Sequence, residues 1–278
     1  MTDRLAASAT RAPWLSPGAI LSYVIAALAA VASAGGLLAD GLYRDNAFVA
    51  STWVGNDAVT LAVAVPLLVA ATVLAGRGSL RAHLVWVGML DYMLYNFAFY
   101  LFGAAFNVYF LVYAALLGLS VWALALALMS LDVERVGRSS GSRTPVRAIA
   151  GYMLFVGIGL ALVYVMQWFA FATGGDVPLI VTKSGHPTNV VFALDLSIVI
   201  PVLIVGGLWI WRRRPWGYVL AAMVNVKGAV YMLALCAATI TAARAGTVPN
   251  TAELALWAPI GAGAALAVFF QLRALRES

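Results

Sequence analysis

Charge is what this sequence has least of. Asp, Glu, Lys and Arg make up 10% of its 278 residues, against 64% hydrophobic, where a water-soluble domain carries roughly a quarter charged residues. The shortage excludes an ordinary soluble globular fold. Cysteine is almost absent: Cys236 stands alone, so no intramolecular disulfide is possible and the redox compartment is not legible. There are two histidines, His83 and His186. A single loop histidine such as His186 is ordinarily solvated, and no metal is assigned. No HExxH, CxxC, P-loop, GxSxG or DxD-type pattern occurs, so metalloenzyme, ATPase and serine-hydrolase chemistry lack their residues.

Apolar runs of about 20 residues are plentiful, the length that spans roughly 30 Å of hydrocarbon at about 1.5 Å per helical residue. Those near 17–38, 57–76, 83–103, 107–130, 148–171, 190–211, 216–241 and 253–272 predict eight transmembrane helices. The expected fold is all-α, a polytopic transmembrane helix bundle forming one membrane domain over 1–278. The first run follows Arg4 and Arg11 and contains Ala32-Ser33-Ala34, which also resembles a signal-peptide cleavage site. Its apolar stretch continues to about Ala39, longer than a usual signal core.

Positive charge sorts by loop. With the N-terminus inside, thirteen arginines fall in cytoplasmic segments: Arg4, Arg11, Arg77, Arg81, Arg135, Arg138, Arg143, Arg147, Arg212, Arg213, Arg214, Arg273 and Arg276. Arg44, Lys183 and Arg244 fall outside, and Lys227, inside a span, completes the seventeen. The positive-inside principle then predicts a plasma (inner) membrane protein with both termini cytoplasmic. The same collar accounts for the pI of about 9.7. It faces anionic lipid at the cytoplasmic surface and forms no groove for nucleic acid. The expected partners are the lipid bilayer and a small solute or ion; the oligomeric state is not legible.

The segment near 131–147, DVERVGRSSGSRTPVR, is rich in Gly, Ser and Arg and reads as a flexible hinge between halves 1–139 and 140–278. Four spans precede it and four follow, which prompts a search for two four-helix repeats. Shifting the second half back by 135 positions pairs Thr60 with Asp195, Pro66 with Pro201, Leu68 with Leu203 and Arg77 with Arg212. Each proline removes a backbone donor in mid-span, so spans two and six are expected to kink there. With a one-residue gap, Asp91-x-x-x-Tyr95 falls opposite Lys227-x-x-x-Tyr231.

A charge at the bilayer centre costs on the order of 3 kcal/mol on insertion scales, so four residues stand out. Asp57, beside Asn56, lies at the expected start of span two and is read as a helix cap. Asp91 lies eight residues past His83, about 12 Å into span three. It shares a stripe with Gly88 and Tyr95, while Asn96 shares another with Tyr92, Phe99, Tyr100 and Gly103. A helix with two polar faces belongs in the middle of a bundle. Lys227 lies at comparable depth in span seven, Asp195 nearer the outside of span six. The bland reading is an Asp91–Lys227 ion pair pinning two helices; the functional one is a charge-switch site. The candidate pathway set is Asp91, Asn96, Asp195, Lys227, Asp57, Tyr95 and Tyr231. Asn107 and Tyr109 are read as packing beside a tight GAAFN turn.

The segments GNDAVTL, YNFAFYLFGAAFN, GHPTNVVFALDL and RRRPWGYVL resemble, in their order, a recurrent group of bacterial multi-pass membrane proteins. The resemblance implies architecture and no activity. Lys227 with a carboxylate in span three also invites comparison with retinal proteins; a further span follows the lysine helix, and retinal at Lys227 is set aside, leaving no cofactor assigned. The first expectation is a small secondary transporter or channel with an intramembrane charge site. The alternative is a non-catalytic membrane scaffold or accessory subunit, and an enzyme acting on lipid or quinone ranks third.

Overall fold

In the computed structural model, which describes residues 15–141 and 143–276, the described residues contain helices and no strand. Arg4 and Arg11 lie outside them. Eight helices are long and apolar enough to cross a membrane: α1 Pro17–Leu38, α2 Ala47–Gly76, α3 Leu80–Gly103, α4 Phe110–Met129, α5 Val146–Ala172, α6 Val190–Trp211, α7 Pro215–Arg244 and α8 Leu254–Ala274. The chain is thus a multi-pass membrane protein, as its run lengths require. Large apolar side chains cover the bundle's exterior, among them Trp122, Phe155, Met166 and Trp168; such a surface suits lipid. The most buried spans are α3 and α7, the two that carry Asp91 and Lys227.

One boundary differs from the sequence expectation in a way that matters. Helix α2 begins at Ala47, ten residues before the expected start, because Asn46 caps it: its Oδ1 accepts from Val49 N at 3.0 Å. The same side chain donates to the Lys183 and Ser184 carbonyls, which fixes the helix start against the 173–189 loop. Asp57 therefore does not cap a helix. It sits eleven residues into α2, 2% exposed.

Each mid-span proline is accompanied by a local change of helix type that no propensity reveals. A five-residue π-helical turn precedes each: Thr60–Ala64 before Pro66 and Asp195–Val199 before Pro201. Proline supplies no N–H and crowds the carbonyl four residues back. The wider turn relieves that crowding, and the residue just before the proline still donates to a carbonyl five residues back, Val65 to Thr60 and Ile200 to Asp195. Such π-bulges commonly mark functional sites.

Both turns that follow are also alike. Gly78 (φ 91°) and Arg213 (φ 54°) adopt left-handed backbone, and α3 and α7 then start at Leu80 and Pro215. These positions keep the 135-residue spacing without a gap, which sets Tyr92, not Asp91, opposite Lys227. At the crossing of α3 and α7, Gly88 packs on α7 so closely that a Cβ would lie 3.0 Å from the Met223 carbonyl oxygen.

The described residues of the expected hinge form local structure. Val133–Ser139 forms a short helix capped by Asp132, Ser140 Oγ donates to Val136 O at 2.6 Å, Thr144 Oγ1 donates to Ser140 O, and Arg276 N donates to Ser139 O at 3.0 Å. Gly137 lies against Pro215 at the start of α7. Gly137 here serves close approach, and Ser140 bonds back to its own helix.

Candidate functional site

The two stripes of α3 face two different neighbours. On the first, Gly88 contacts Val226 of α7 and Tyr95 packs edge-on against Tyr231, ring centroids 4.8 Å apart. Asp91, between them, shares this face. On the second, Asn96 Oδ1 accepts from Asn56 Nδ2 of α2 at 2.9 Å, Tyr92 and Thr60 hydroxyls lie 2.9 Å apart, and Tyr100 donates to Asp57 Oδ1 at 2.9 Å. Polar residues on both faces are accommodated because α3 packs against both α2 and α7.

Lys227 is 4% exposed and lies over the face of Tyr95, its Nζ 3.7 Å from the ring centroid. Tyr231 offers a second, more distant face at 5.9 Å. The ammonium interacts electrostatically with both Asp91 and Asp195 but forms no direct ion pair with either. The expected Asp91–Lys227 clasp is replaced by a cation–π seat between two carboxylates. Asp195 has other partners: its Oδ1 accepts from Tyr95 and its Oδ2 from Tyr164, each at 2.8 Å. Tyr95 thus supports the lysine with its ring and the aspartate with its hydroxyl.

These groups border a cavity of about 450 Å³ between α2, α5, α6, α7 and α8, within the range of small-molecule sites. Asp195, Lys227, Tyr164, Tyr231, Asn225 and Asn56 lie on its wall; Asp91 does not. The remainder is mainly aliphatic and aromatic. The lining extends to Ser184, His186, Val248 and Glu253 at the end of the bundle opposite the arginine-rich loops. Towards the arginine-rich end it stops near Tyr152, Leu203 and Ile260. Beyond that level the buried side chains of Leu84, Ile149, Ile210, Tyr218 and Val219 close the interior. Three lining residues carry buried polar atoms with no hydrogen-bond partner: Asn56 Oδ1, His186 Nε2 and Asn189 Nδ2.

Of the seven candidates, Asp195, Lys227, Tyr95, Tyr231 and Asp91 are gathered at one place, and Asn96 joins them through α2. Asp57 forms a separate cluster with Tyr100 and Tyr43, whose hydroxyl donates to Asp57 Oδ2. Burial and the Asp57 carboxylate push the Tyr43 phenol well up from its ordinary range, so it stays a donor. Asn107 and Tyr109 build the GAAFN turn, with Tyr109 N donating to Asn107 Oδ1 at 2.9 Å and Asn107 Nδ2 to Ala105 O at 3.1 Å.

Residues not singled out are Tyr164, Asn225, Asn56 and Thr60. Tyr164 stands among lipid-facing aromatics of α5, and its sequence neighbours give it no polar partner. Thr60 did carry a signal, its alignment with Asp195. Among the described residues no cluster of His, Cys, Asp and Glu is arranged to hold a metal ion. Neither a protein-family model, nor a curated protein, nor a solved structure matches the chain.

Proposed function

We propose that the protein is a secondary transporter for a small solute, with Asp195 and Lys227 on the wall of its binding cavity. The observation that carries this reading is the one-sided cavity. A pore would continue through the bundle, whereas this space is bounded short of the arginine-rich end by close packing, the geometry of one face of an alternating-access cycle. Its walls call for a solute with a largely apolar body and polar groups at the ends. The ammonium of Lys227, the acceptor of Asn56 and the donor of Asn189 each have unmet capacity. Asp91 sits behind Lys227 and biases its charge without touching solute.

In this reading the halves 1–139 and 140–278 form a parallel repeat, and their paired π-turns are the flexing points of α2 and α6. The arginine-rich end is cytoplasmic and rests on anionic lipid, in a plasma (inner) membrane. The cavity then opens outward.

Reconstitution tests the proposal. Proteoliposomes on a solid-supported membrane, challenged with a panel of small amphipathic amines, acids and neutral solutes under an imposed pH gradient, are expected to give a saturable current for at least one class. That current disappears in Asp195→Asn and in Lys227→Gln and persists in Thr60→Val. Vesicles inert to every class, or flux unchanged in both cavity variants, overturn the reading.

A further inference from the structure

The cavity leaves one buried acid unused. Asp57 does not line it, and no lysine or arginine is among the groups that act on its carboxylate. Two phenols supply hydrogen bonds, Tyr100 to Oδ1 and Tyr43 to Oδ2, but hydrogen bonds leave the charge in place. A carboxylate this deep, with no counter-charge, is costly in an apolar setting.

The surroundings point to what balances it. Ser33 of α1 is 1% exposed and faces the carboxylate, but its Oγ makes no well-aligned hydrogen bond. Tyr113 of α4, 2% exposed, is directed towards Asp57, Tyr43 and Asn107, and its hydroxyl likewise makes no well-aligned hydrogen bond. Helix α1 comes so close at Gly36 that a Cβ there would overlap Asp57 Oδ2 and the Tyr43 hydroxyl. One carboxylate and four hydroxyls, brought by α1, the 39–46 loop, α2, α3 and α4, thus converge.

Hard oxygen donors of this kind suit alkali and alkaline-earth ions. A single carboxylate balances one positive charge; a divalent ion would leave the buried excess reversed in sign. We propose that Asp57, with Ser33, Tyr43, Tyr100 and Tyr113, forms a binding site for a monovalent alkali cation. The site holds four helices together at the end opposite the arginine-rich loops, and it stands whether or not the cavity takes a solute.

The test uses the purified full chain in detergent, with choline chloride replaced stepwise by LiCl, NaCl or KCl at constant ionic strength. A ligand that binds the folded state raises the unfolding midpoint with the logarithm of its concentration. Such a rise is expected for at least one alkali cation. Trp53, stacked on Tyr100 with ring centroids 4.2 Å apart, is expected to change its fluorescence over the same concentration range. Ser33→Ala and Tyr113→Phe keep the charge and raise the half-effect concentration by about tenfold, the value of one lost contact to a charged group. Asp57→Asn removes the effect.

A wild-type midpoint indifferent to all three cations overturns the proposal, and so does a cation effect that survives in Asp57→Asn. Indifference to cations together with a pH dependence that Asp57→Asn abolishes makes the occupant a proton, and overturns it as well. Should Asp57→Asn not fold, unchanged half-effect concentrations in both Ser33→Ala and Tyr113→Phe decide against the site.

Discussion

At the π-turn of α2 stands Thr60, whose hydroxyl meets Tyr92, with the Asn96 amide 3.5 Å away. At the π-turn of α6, 135 positions later, stands Asp195, and the positions matching Tyr92 and Asn96 are Lys227 and Tyr231. The same backbone plan carries a neutral, directly hydrogen-bonded triad in one half and a charged triad in the other. The surroundings differ accordingly. Helix α1 packs along α4, whereas α5 approaches α8 around Tyr152, which bonds to Ile260 O at 2.7 Å and lies against Gly263. Past that point the two separate and the cavity begins. A neutral triad satisfies itself and lets the helices close; a charge held on an aromatic face leaves hydrogen-bonding capacity that needs room for water or a ligand.

The comparison breaks most severely at the lysine. Lys227→Met leaves Asp91 and Asp195 without their cation, and removal of one partner from a buried charge group costs about 3–5 kcal/mol. Thermal unfolding in detergent is expected to show this, with partial recovery in the Lys227→Met, Asp195→Asn double variant; equal losses in both would mean that Asp195 does not sense the lysine.

Next in size is the seam between the halves. Gly55 of α2 lies on α7 so closely that a Cβ would meet the Ala237–Ala238 backbone. Backbone cannot yield as a side chain does, so Gly55→Ala is expected to cost about 1–3 kcal/mol or more. Gly118, with open space around it, is the control: Gly118→Ala is neutral or stabilising by the same assay.

A smaller change sharpens the contrast of the triads. Thr60→Val removes two neutral hydrogen bonds, to Tyr92 and from Asn96, each worth about 1 kcal/mol, and is expected to leave cation and solute responses intact. Asp195→Asn, its counterpart, costs no more stability than Lys227→Met but abolishes solute current. Matching losses of function in both variants would erase the distinction between a structural and a working triad.

The smallest effect belongs to the surface. Arg138 and Asp132 lie 3.9 Å apart with side chains 71% and 59% exposed. Solvent screens such pairs, so Arg138→Ala is expected to shift stability by less than about 0.5 kcal/mol.

Much of this was present in the sequence. Run lengths and scarce charge require a helical membrane bundle, because about 20 apolar residues match a spanning helix, which satisfies its own backbone polar groups in lipid. The placement of Gly88, Asp91 and Tyr95 on one face and of Tyr92, Asn96 and Tyr100 on another follows from the 3.6-residue period alone. The shared Pro–Arg spacing of spans two and six pairs Thr60 with Asp195 before any coordinates.

Other features depended on neighbours far along the chain. Asp57 read as a cap because an apolar count begins there; Asn46, held by carbonyls 137 and 138 positions away, moved the helix start and buried the acid. The sequence pattern placed Asp91 and Lys227 at one depth. Which of Tyr95, Asp91 and Asp195 the ammonium would touch was decided by how α3, α6 and α7 cross. Periodicity fixes the face a residue occupies, since it is a property of one helix; contact, cavity and charge balance arise between helices, and only their packing sets them.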